Sequence, residues 1–230
     1  MLTIRNYIAK KIYDNRGTIL FIVLLFSMRW SFADHYRVPS GSMIPTIHIG
    51  DHLLVNKAAY DIKFPFTDIV LSKTGSPQRG EIIVFKYPKD PSVNYVKRLI
   101  GLPGDTVEVL NGFLKINGNI TLVNSEHFQN NLERLYNETA EFNYKEKIEG
   151  REFQIQRIPN MSREHHMKFV IPKDQYFFMG DNRDNSRDSR FWGFVPREYL
   201  KGRVANVTFS VVFDGIIPIV DLSRSGKKLI

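Results

Sequence analysis

Only one stretch of this 230-residue chain is apolar enough to suggest anything other than a water-facing fold, Thr18 to Met28 (TILFIVLLFSM). As a helix it would rise ~17 Å at 1.5 Å per residue, whereas a bilayer core asks for about 20 residues. Extending it over Gly17 to Ala33 closes most of the gap, with Arg29 reaching back to the interface and Trp30 lying in it. Arg5, Lys10, Lys11 and Arg16 precede the run against a single acid, Asp14. Such a basic flank holds the N-terminus in the cytoplasm and sends the following chain outside. We therefore expect a basic cytoplasmic N-terminus over 1–16 and one uncleaved transmembrane anchor over 17–33. A core helix and a cleaved signal peptide are the competing readings. Ser31-Phe32-Ala33 fits a small-x-small site with cleavage after Ala33, although Arg29 and Trp30 sit awkwardly beside it.

The rest of the chain has the makings of a packed domain. It is 43% hydrophobic and 24% charged, which places it among globular rather than disordered sequences. It contains no cysteine, so a thiol nucleophile, a disulfide framework, iron–sulfur ligation and cysteine zinc sites are excluded. The formal charge of +8 suits an acidic partner such as anionic lipid or nucleic acid. The basic residues are scattered, however, and no nucleic-acid signature accompanies them.

From Arg37 onward the pattern is one of short strands between turn formers. Leu53–Val55, Glu81–Tyr87 and Asn94–Ile100 come first, and a loop at Gly101-Leu102-Pro103-Gly104-Asp105 follows. Asn111-Gly112 and Asn117-Gly118 separate three short apolar runs, 106–110, 113–116 and 119–123, which predicts hairpins. Residues 124–150 turn polar, with room for a short helix near Ser125–Leu135. Strands resume at 168–171, 175–179 and 202–213, and Arg224, Lys227 and Lys228 read as a solvated basic tail. The expected fold is mainly β. It has a catalytic β core over 34–105 and 166–230 and an inserted, hairpin-rich lobe over 106–165, all preceded by the one helix.

Three clusters could carry chemistry. Pro39-Ser40-Gly41-Ser42-Met43-Ile44-Pro45-Thr46 cannot be helical and holds a hydroxyl on a rigid turn; alone it equally fits a turn with capping serines. Tyr95-Val96-Lys97-Arg98-Leu99-Ile100 sets two cations on opposite faces of one apolar strand, so that one of them faces the core. A lysine buried without a counter-ion loses its proton readily and can take one from a serine hydroxyl; taken alone, the strand equally fits a lysine that reaches solvent. Gly180 to Pro196 carries Asp181, Arg183, Asp184, Arg187 and Asp188 in alternating sign, then Arg190. Such pairs lock loops by charge-assisted hydrogen bonds. Calcium binding by the three aspartates is the alternative, although the interleaved arginines and the missing EF-hand spacing weigh against it.

Together, from about Tyr36 to Val211, the three clusters resemble the type I signal peptidases, Ser-Lys proteases that remove signal peptides. The resemblance implies Ser42 as nucleophile and Lys97 as general base. It further implies Ser40 as an oxyanion-hole donor, Ser186 as the residue orienting the lysine, and Asp188 and Arg190 as the pair shaping the loop behind the site. Val38, Met43, Ile47, Leu53, Tyr95 and Val96 would line shallow pockets for small residues at substrate positions −1 and −3. No metal or cofactor is implied. The partners would be preprotein signal peptides and the phospholipid bilayer, with no nucleic acid, and the location an inner membrane with the catalytic domain outside. Phe64-Pro65-Phe66 is a candidate rim dipping into lipid, or else an internal hairpin contact.

Other functions fit less well. His48, Asp51 and His52 lie near Ser42 and leave a Ser-His-Asp triad open, but no G-x-S-x-G elbow is present. His165-His166 lacks an H-E-x-x-H context. A self-cleaving repressor would need an Ala-Gly or Cys-Gly bond, and the chain has neither. A specialised peptidase serving one substrate, such as a pilus subunit, and a non-catalytic anchored binding protein are the remaining alternatives.

Overall fold

The computed structural model describes residues 2–110, 113–123, 142–158, 166–227 and 229. Two helices lead the chain, α1 (Leu2–Asp14) and α2 (Arg16–Phe32). Sixteen strands follow among the described residues. They are β1 (Ala33–Arg37), β2 (Asp51–Asn56), β3 (Asp61–Lys63), β4 (Val70–Lys73), β5 (Ile82–Tyr87), β6 (Asp90–Gly101), β7 (Thr106–Leu110) and β8 (Phe113–Ile116). Then come β9 (Asn119–Ile120), β10 (Phe142–Ile148), β11 (Arg151–Arg157), β12 (His166–Val170), β13 (Gln175–Met179), β14 (Val195–Pro196), β15 (Leu200–Asp214) and β16 (Ile217–Asp221). The mainly β fold expected from the strand spacing is what forms.

Helix α2 coincides with the apolar run but has 17 residues, about 25 Å of rise. No helix among the described residues is long and apolar enough to cross a membrane. Its side chains from Ile19 to Phe26 are exposed on every side, so it is not the core helix of the competing reading. Ser31, by contrast, is buried and donates its hydroxyl to the Lys63 carbonyl at 3.0 Å. Ala33 opens β1, paired with Asn56 of β2. A cleavage site after Ala33 would therefore lie inside a paired strand.

The main sheet has eight strands in the order β1-β2-β15-β5-β6-β13-β14, with β16 folded back along the end of β15. Its pairs are antiparallel. Both faces of β6 are covered, which is why Leu99 and Ile100 are fully buried although they point opposite ways. Val38, Met43, Ile47, Leu53 and Val84 share one core cluster; Phe85, Leu99 and Phe178 belong to a second. A third runs from Ile100 and Phe177 into Val107, Leu114 and Ile155. The inserted strands therefore share their core with the main sheet.

The insertion differs in detail from expectation. Its sheet has the order β12-β7-β8-β9, so β12, at 166–170, belongs with the insertion rather than with the catalytic core. The Asn117-Gly118 turn forms as expected, with φ of 48° and 87°, the left-handed pair that such hairpins require. The Asn111-Gly112 turn, the helix near Ser125–Leu135 and His165 lie outside the described residues. Strands β10 and β11 escaped the sequence reading. They form a hairpin with a two-residue turn at Glu149-Gly150, and its inward positions include the buried Glu146 where an apolar residue would have signalled a strand.

That glutamate receives two bonds from the buried Arg183, at 2.6 and 2.5 Å. Arg157 of β11 likewise pairs with Asp184 at 2.8 Å. The hairpin is thus ion-paired to the 181–190 loop. Breaking one side of a buried pair strands a desolvated charge, which costs about 3–5 kcal/mol, whereas exposed pairs give about 0–1 kcal/mol. Glu146→Ala should lower the unfolding free energy by about 3–5 kcal/mol in denaturant titrations. Glu152→Ala, which removes the exposed pair with Lys147, should change it by less than about 1 kcal/mol.

Candidate active site

The segment from Val38 to Gly50 leaves β1 and returns to β2 as a loop closed at its base. Val38 N–H donates to the Asp51 carbonyl and Gly50 N–H to Val38, both at 2.9 Å. Prolines 39 and 45 bar helix, and the loop instead folds on local bonds from Thr46 and Ile47 to the Met43 carbonyl, at 2.9 and 3.0 Å. Met43 and Ile47 are driven fully into the core, and this leaves Ser42 at the surface of that core with its hydroxyl facing β6. A second clamp comes from the far end of the chain. Arg224 reaches Asp51 at 3.0 Å and the Thr46 carbonyl at 2.9 Å, and Ser210 also donates to Asp51. Arg224 is therefore part of the fold and not a solvated tail.

Lys97 on β6 is 4% exposed, and its amine donates to Ser42 Oγ. Ser40 Oγ lies 3.4 Å from Ser42 Oγ. Burial is the main cause that lowers the Lys97 pKa to about 8; Asp188 and Asp181 act against it and Arg190 with it. The neighbouring Arg98 is fully buried too, but it is paired. It donates to both carboxylate oxygens of Asp181, at 2.8 and 2.7 Å, and to the Gly80 carbonyl at 2.6 Å. Thr46 Oγ donates to the same carboxylate at 2.5 Å. Both cations of β6 are thus buried, one with a carboxylate and one against a hydroxyl.

The 181–190 loop forms the back wall. Asp188 meets Arg190 in a two-pronged pair at 2.8 and 2.9 Å and accepts the Gly180 N–H at 3.0 Å. Burial raises its carboxyl pKa, but Arg190 and these hydrogen bonds bring it below the usual value. Asn182 N–H and its side-chain amide donate to the Ser42 and Gly41 carbonyls, at 3.1 and 3.2 Å. Gly180 permits this approach, since a Cβ there would stand 2.3 Å from the Ser42 carbonyl oxygen. Only the Asp188–Arg190 pair is internal to the loop. Asp181 turns to Arg98, Asp184 to Arg157 and Arg183 to Glu146. The calcium alternative fails because a guanidinium engages each of the three aspartates.

A cleft of about 400 Å³ opens over Ser42. Of the expected lining, Val38, Leu53, Tyr95 and Val96 border it, with Ser40, Ser42 and Lys97. Met43 and Ile47 do not: they are the core on which the Ser42 loop rests. Ser186 Oγ is buried beside the Asp188 carboxyl, which it helps hold in the ionised form, yet it makes no hydrogen bond of ordinary geometry. No bond to Lys97 forms. The cleft also takes in Tyr36, Arg37, Val84, Asn94, Asn185 and Arg187, which the sequence reading missed. Alternation along β1 and β6 from Val38 and Val96 would have offered Tyr36 and Asn94.

The histidines near Ser42 are elsewhere. His52 clusters with His35 and Phe209, at ring distances of 4.9 and 4.3 Å, and neither His48 nor His52 borders the cleft.

Comparison with known proteins places the chain in a family. The sequence profile of the family described as "Signal peptidase, peptidase S26" matches residues 15–209. A signal peptidase I of Pseudomonas fluorescens is 40% identical over 225 residues, covering 90% of this chain and 75% of that protein. One from Pseudomonas aeruginosa is 39% identical over 206 residues, covering 84% and 69%. One from Buchnera aphidicola subsp. Schizaphis graminum is 35% identical over 223 residues, covering 81% and 71%.

The buried amine has a stability consequence of definite sign. With its pKa moved from 10.5 to about 8, the unfolded chain binds more protons than the folded one between those pH values. The unfolding free energy therefore rises with pH through that window, and the cost is fully present at pH 7. Lys97→Met should stabilise the fold at pH 7 by about 1–3 kcal/mol in denaturant titrations. The gain should shrink as pH approaches 10.

Proposed function

The chain belongs to the signal peptidase, peptidase S26, family, and from that premise we propose that it cuts preproteins with a Ser42–Lys97 dyad while anchored in the membrane by α2. That it is a signal-peptide-cleaving hydrolase follows from the family; the residue roles and the anchoring are our reading. The observation that carries it is the contact of the Lys97 amine with Ser42 Oγ, in a buried site at the floor of an apolar cleft.

The chemistry needs a base that is neutral near physiological pH. Lys97 has a pKa of about 8, so a useful fraction of it is proton-free there. The neutral amine takes the Ser42 proton as Oγ attacks the scissile carbonyl. Charge developing on the carbonyl oxygen meets the Ser42 N–H and the Ser40 hydroxyl; a fixed donor of this kind contributes about 2.7–4 kcal/mol. Protonated Lys97 then gives its proton to the leaving amine and the signal peptide remains as an ester on Ser42. A water deprotonated by Lys97 releases it. Asp188 and Arg190 act through the loop that backs Lys97, and the Ser186 hydroxyl beside them is the group we assign to orienting the amine once substrate is bound.

Specificity follows from the cleft. Ahead of Arg98, β6 pairs with β5 on one side, and β13 pairs only with its later residues, so its other edge can accept an extended substrate as an added strand. Side chains at −1 and −3 would then point alike, toward Val38, Leu53, Val84 and Val96. The shallow floor admits small residues.

The anchor reading rests on a helix that is apolar and exposed all round from Ile19 to Phe26, a surface that lipid solvates and water does not. The basic residues before it set the N-terminus inside and the catalytic domain outside. Exposed Phe64 and Phe66 lie beside its exit, where Phe66 packs on Trp30 at 5.2 Å.

Cleavage of a preprotein with an A-x-A site, assayed in detergent, is the test. Ser42→Ala and Lys97→Ala should each lower kcat/KM by at least about 10³-fold and leave the fold intact. His52→Ala should stay within about threefold of the parent, in keeping with a residue outside the cleft. For the parent, kcat/KM should rise with pH and level off above about 8, as the amine loses its proton. Activity retained in Lys97→Ala and lost in His52→Ala would replace the dyad with a histidine-based mechanism.

A further inference from the structure

Four lysines gather where α2 enters the domain, and the carboxylates among them are too few to neutralise them. Asp68 receives Lys86 at 2.8 Å, Lys63 at 3.7 Å and Lys201 at 3.9 Å. Lys57 approaches Asp34 at 3.9 Å and lies over the Trp30 ring at 4.8 Å. These lysines come from four separate parts of the fold: the turn after β2, then β3, β5 and β15. Their side chains are 11–24% exposed, whereas that of Asp68 is 59% exposed. The ammonium groups are thus held by the framework and their shared acid sits at the rim. Burial first, and the neighbouring lysines after it, hold the Lys57 and Lys201 amines below the ordinary lysine range. Like charges do not gather in a half-buried site without a counter-charge.

The position of the cluster indicates which counter-charge. Ser31, next to the last residue of α2, is bonded to the Lys63 carbonyl, and Trp30 touches both Lys57 and Phe66. Exposed Phe64, Phe66, Ile69, Val70 and Leu71 flank it. A helix of about 25 Å is shorter than the ~30 Å hydrocarbon core, and a short span is accommodated partly by drawing its flanking groups down to the headgroups. Aromatic and apolar side chains would meet the acyl boundary while the lysines stand level with the phosphates.

We infer that Lys57, Lys63, Lys86 and Lys201 form a binding site for the headgroup phosphate of an anionic phospholipid at the membrane-facing base of the catalytic domain. The inference rests on α2 being the anchor, and that premise has its own readout. Full-length protein reconstituted into neutral phosphatidylcholine vesicles should float with them. Loss of flotation there would remove the anchor, whatever the lysines do.

The site itself is read by amine acetylation and by thermal unfolding, in vesicles of phosphatidylcholine alone or with one part in four phosphatidylglycerol. The anionic lipid should slow acetylation of Lys63, Lys86 and Lys201 at least about threefold while leaving the exposed Lys227 unaffected. It should also raise the unfolding midpoint at low ionic strength, an effect that salt diminishes. The triple variant Lys63→Gln/Lys86→Gln/Lys201→Gln should lose the midpoint response. Asp68→Asn, which removes the competing acid, should enlarge it, an outcome that a merely structural role for the cluster does not produce. Should the triple variant fail to fold, the acetylation pattern and Asp68→Asn still decide the matter. Equal acetylation in both vesicle types, or an undiminished response in a folded triple variant, would overturn the site. Soluble glycerol phosphate matching the effect of the lipid would overturn its assignment to the membrane.

Discussion

Two neighbouring cations on one buried strand set the terms for the whole molecule. Lys97 and Arg98 point to opposite sides of β6, and the fold removes both from water. Arg98 cannot shed its proton, so it must be given a carboxylate, and Asp181 supplies one through a two-pronged contact. Lys97 can shed its proton, and it is given a hydroxyl instead. This asymmetry tunes the amine. Asp188, the carboxylate that pulls on it most, is occupied by Arg190, so its pull on the lysine is partly cancelled.

The same pairings explain why a strongly charged loop can back a hydrophobic cleft. Residues 181–190 send side chains to β6, to β10 and to β11, and their backbone groups hold the Ser42 turn. The inserted hairpin therefore does more than decorate the catalytic sheet. It neutralises the loop that holds the Ser42 turn, and a continuous apolar cluster from Ile100 and Phe177 to Val107 and Ile155 fixes it in place. Chemistry and insertion are coupled through buried charge, which transmits a displaced partner more sharply than apolar contact does.

Much of this was legible in the sequence. Local signals indicate the strands whose inward positions are apolar, β2, β5 to β8, β13 and β15, and the Asn117-Gly118 turn; the short β3 and β4, with almost no buried apolar position, carry no such signal. The nucleophile loop announced itself through prolines that bar helix. Hairpin β10–β11 remained hidden because its inward Glu146 is buried by a partner distant in sequence, and no window of neighbouring residues contains Arg183. The same reason hid the destinations of Asp181 and Asp184: alternating signs within one loop imply internal pairing, while the fold pairs Asp181, Arg183 and Asp184 outside it. The resemblance assigns Met43 and Ile47 to the cleft, but the turn that presents Ser42 sends both of their side chains into the core. Arg224 looked like tail for want of any cue that its partner, Asp51, is buried.

That last contact has a bearing on how the protein comes into being. The chain is made from the N-terminus, so α2 and the Ser42 loop emerge first. Lys97, the back wall and finally Arg224, which braces the loop through Asp51 and Thr46, arrive only as synthesis nears the last residues described. Until then the loop lacks its brace and Ser42 its contact with Lys97. A cleft assembled in this order takes its final shape only after the segment carrying Arg224 has folded back onto the loop, so local structure around Ser42 cannot form ahead of contacts made 173 and 178 residues later.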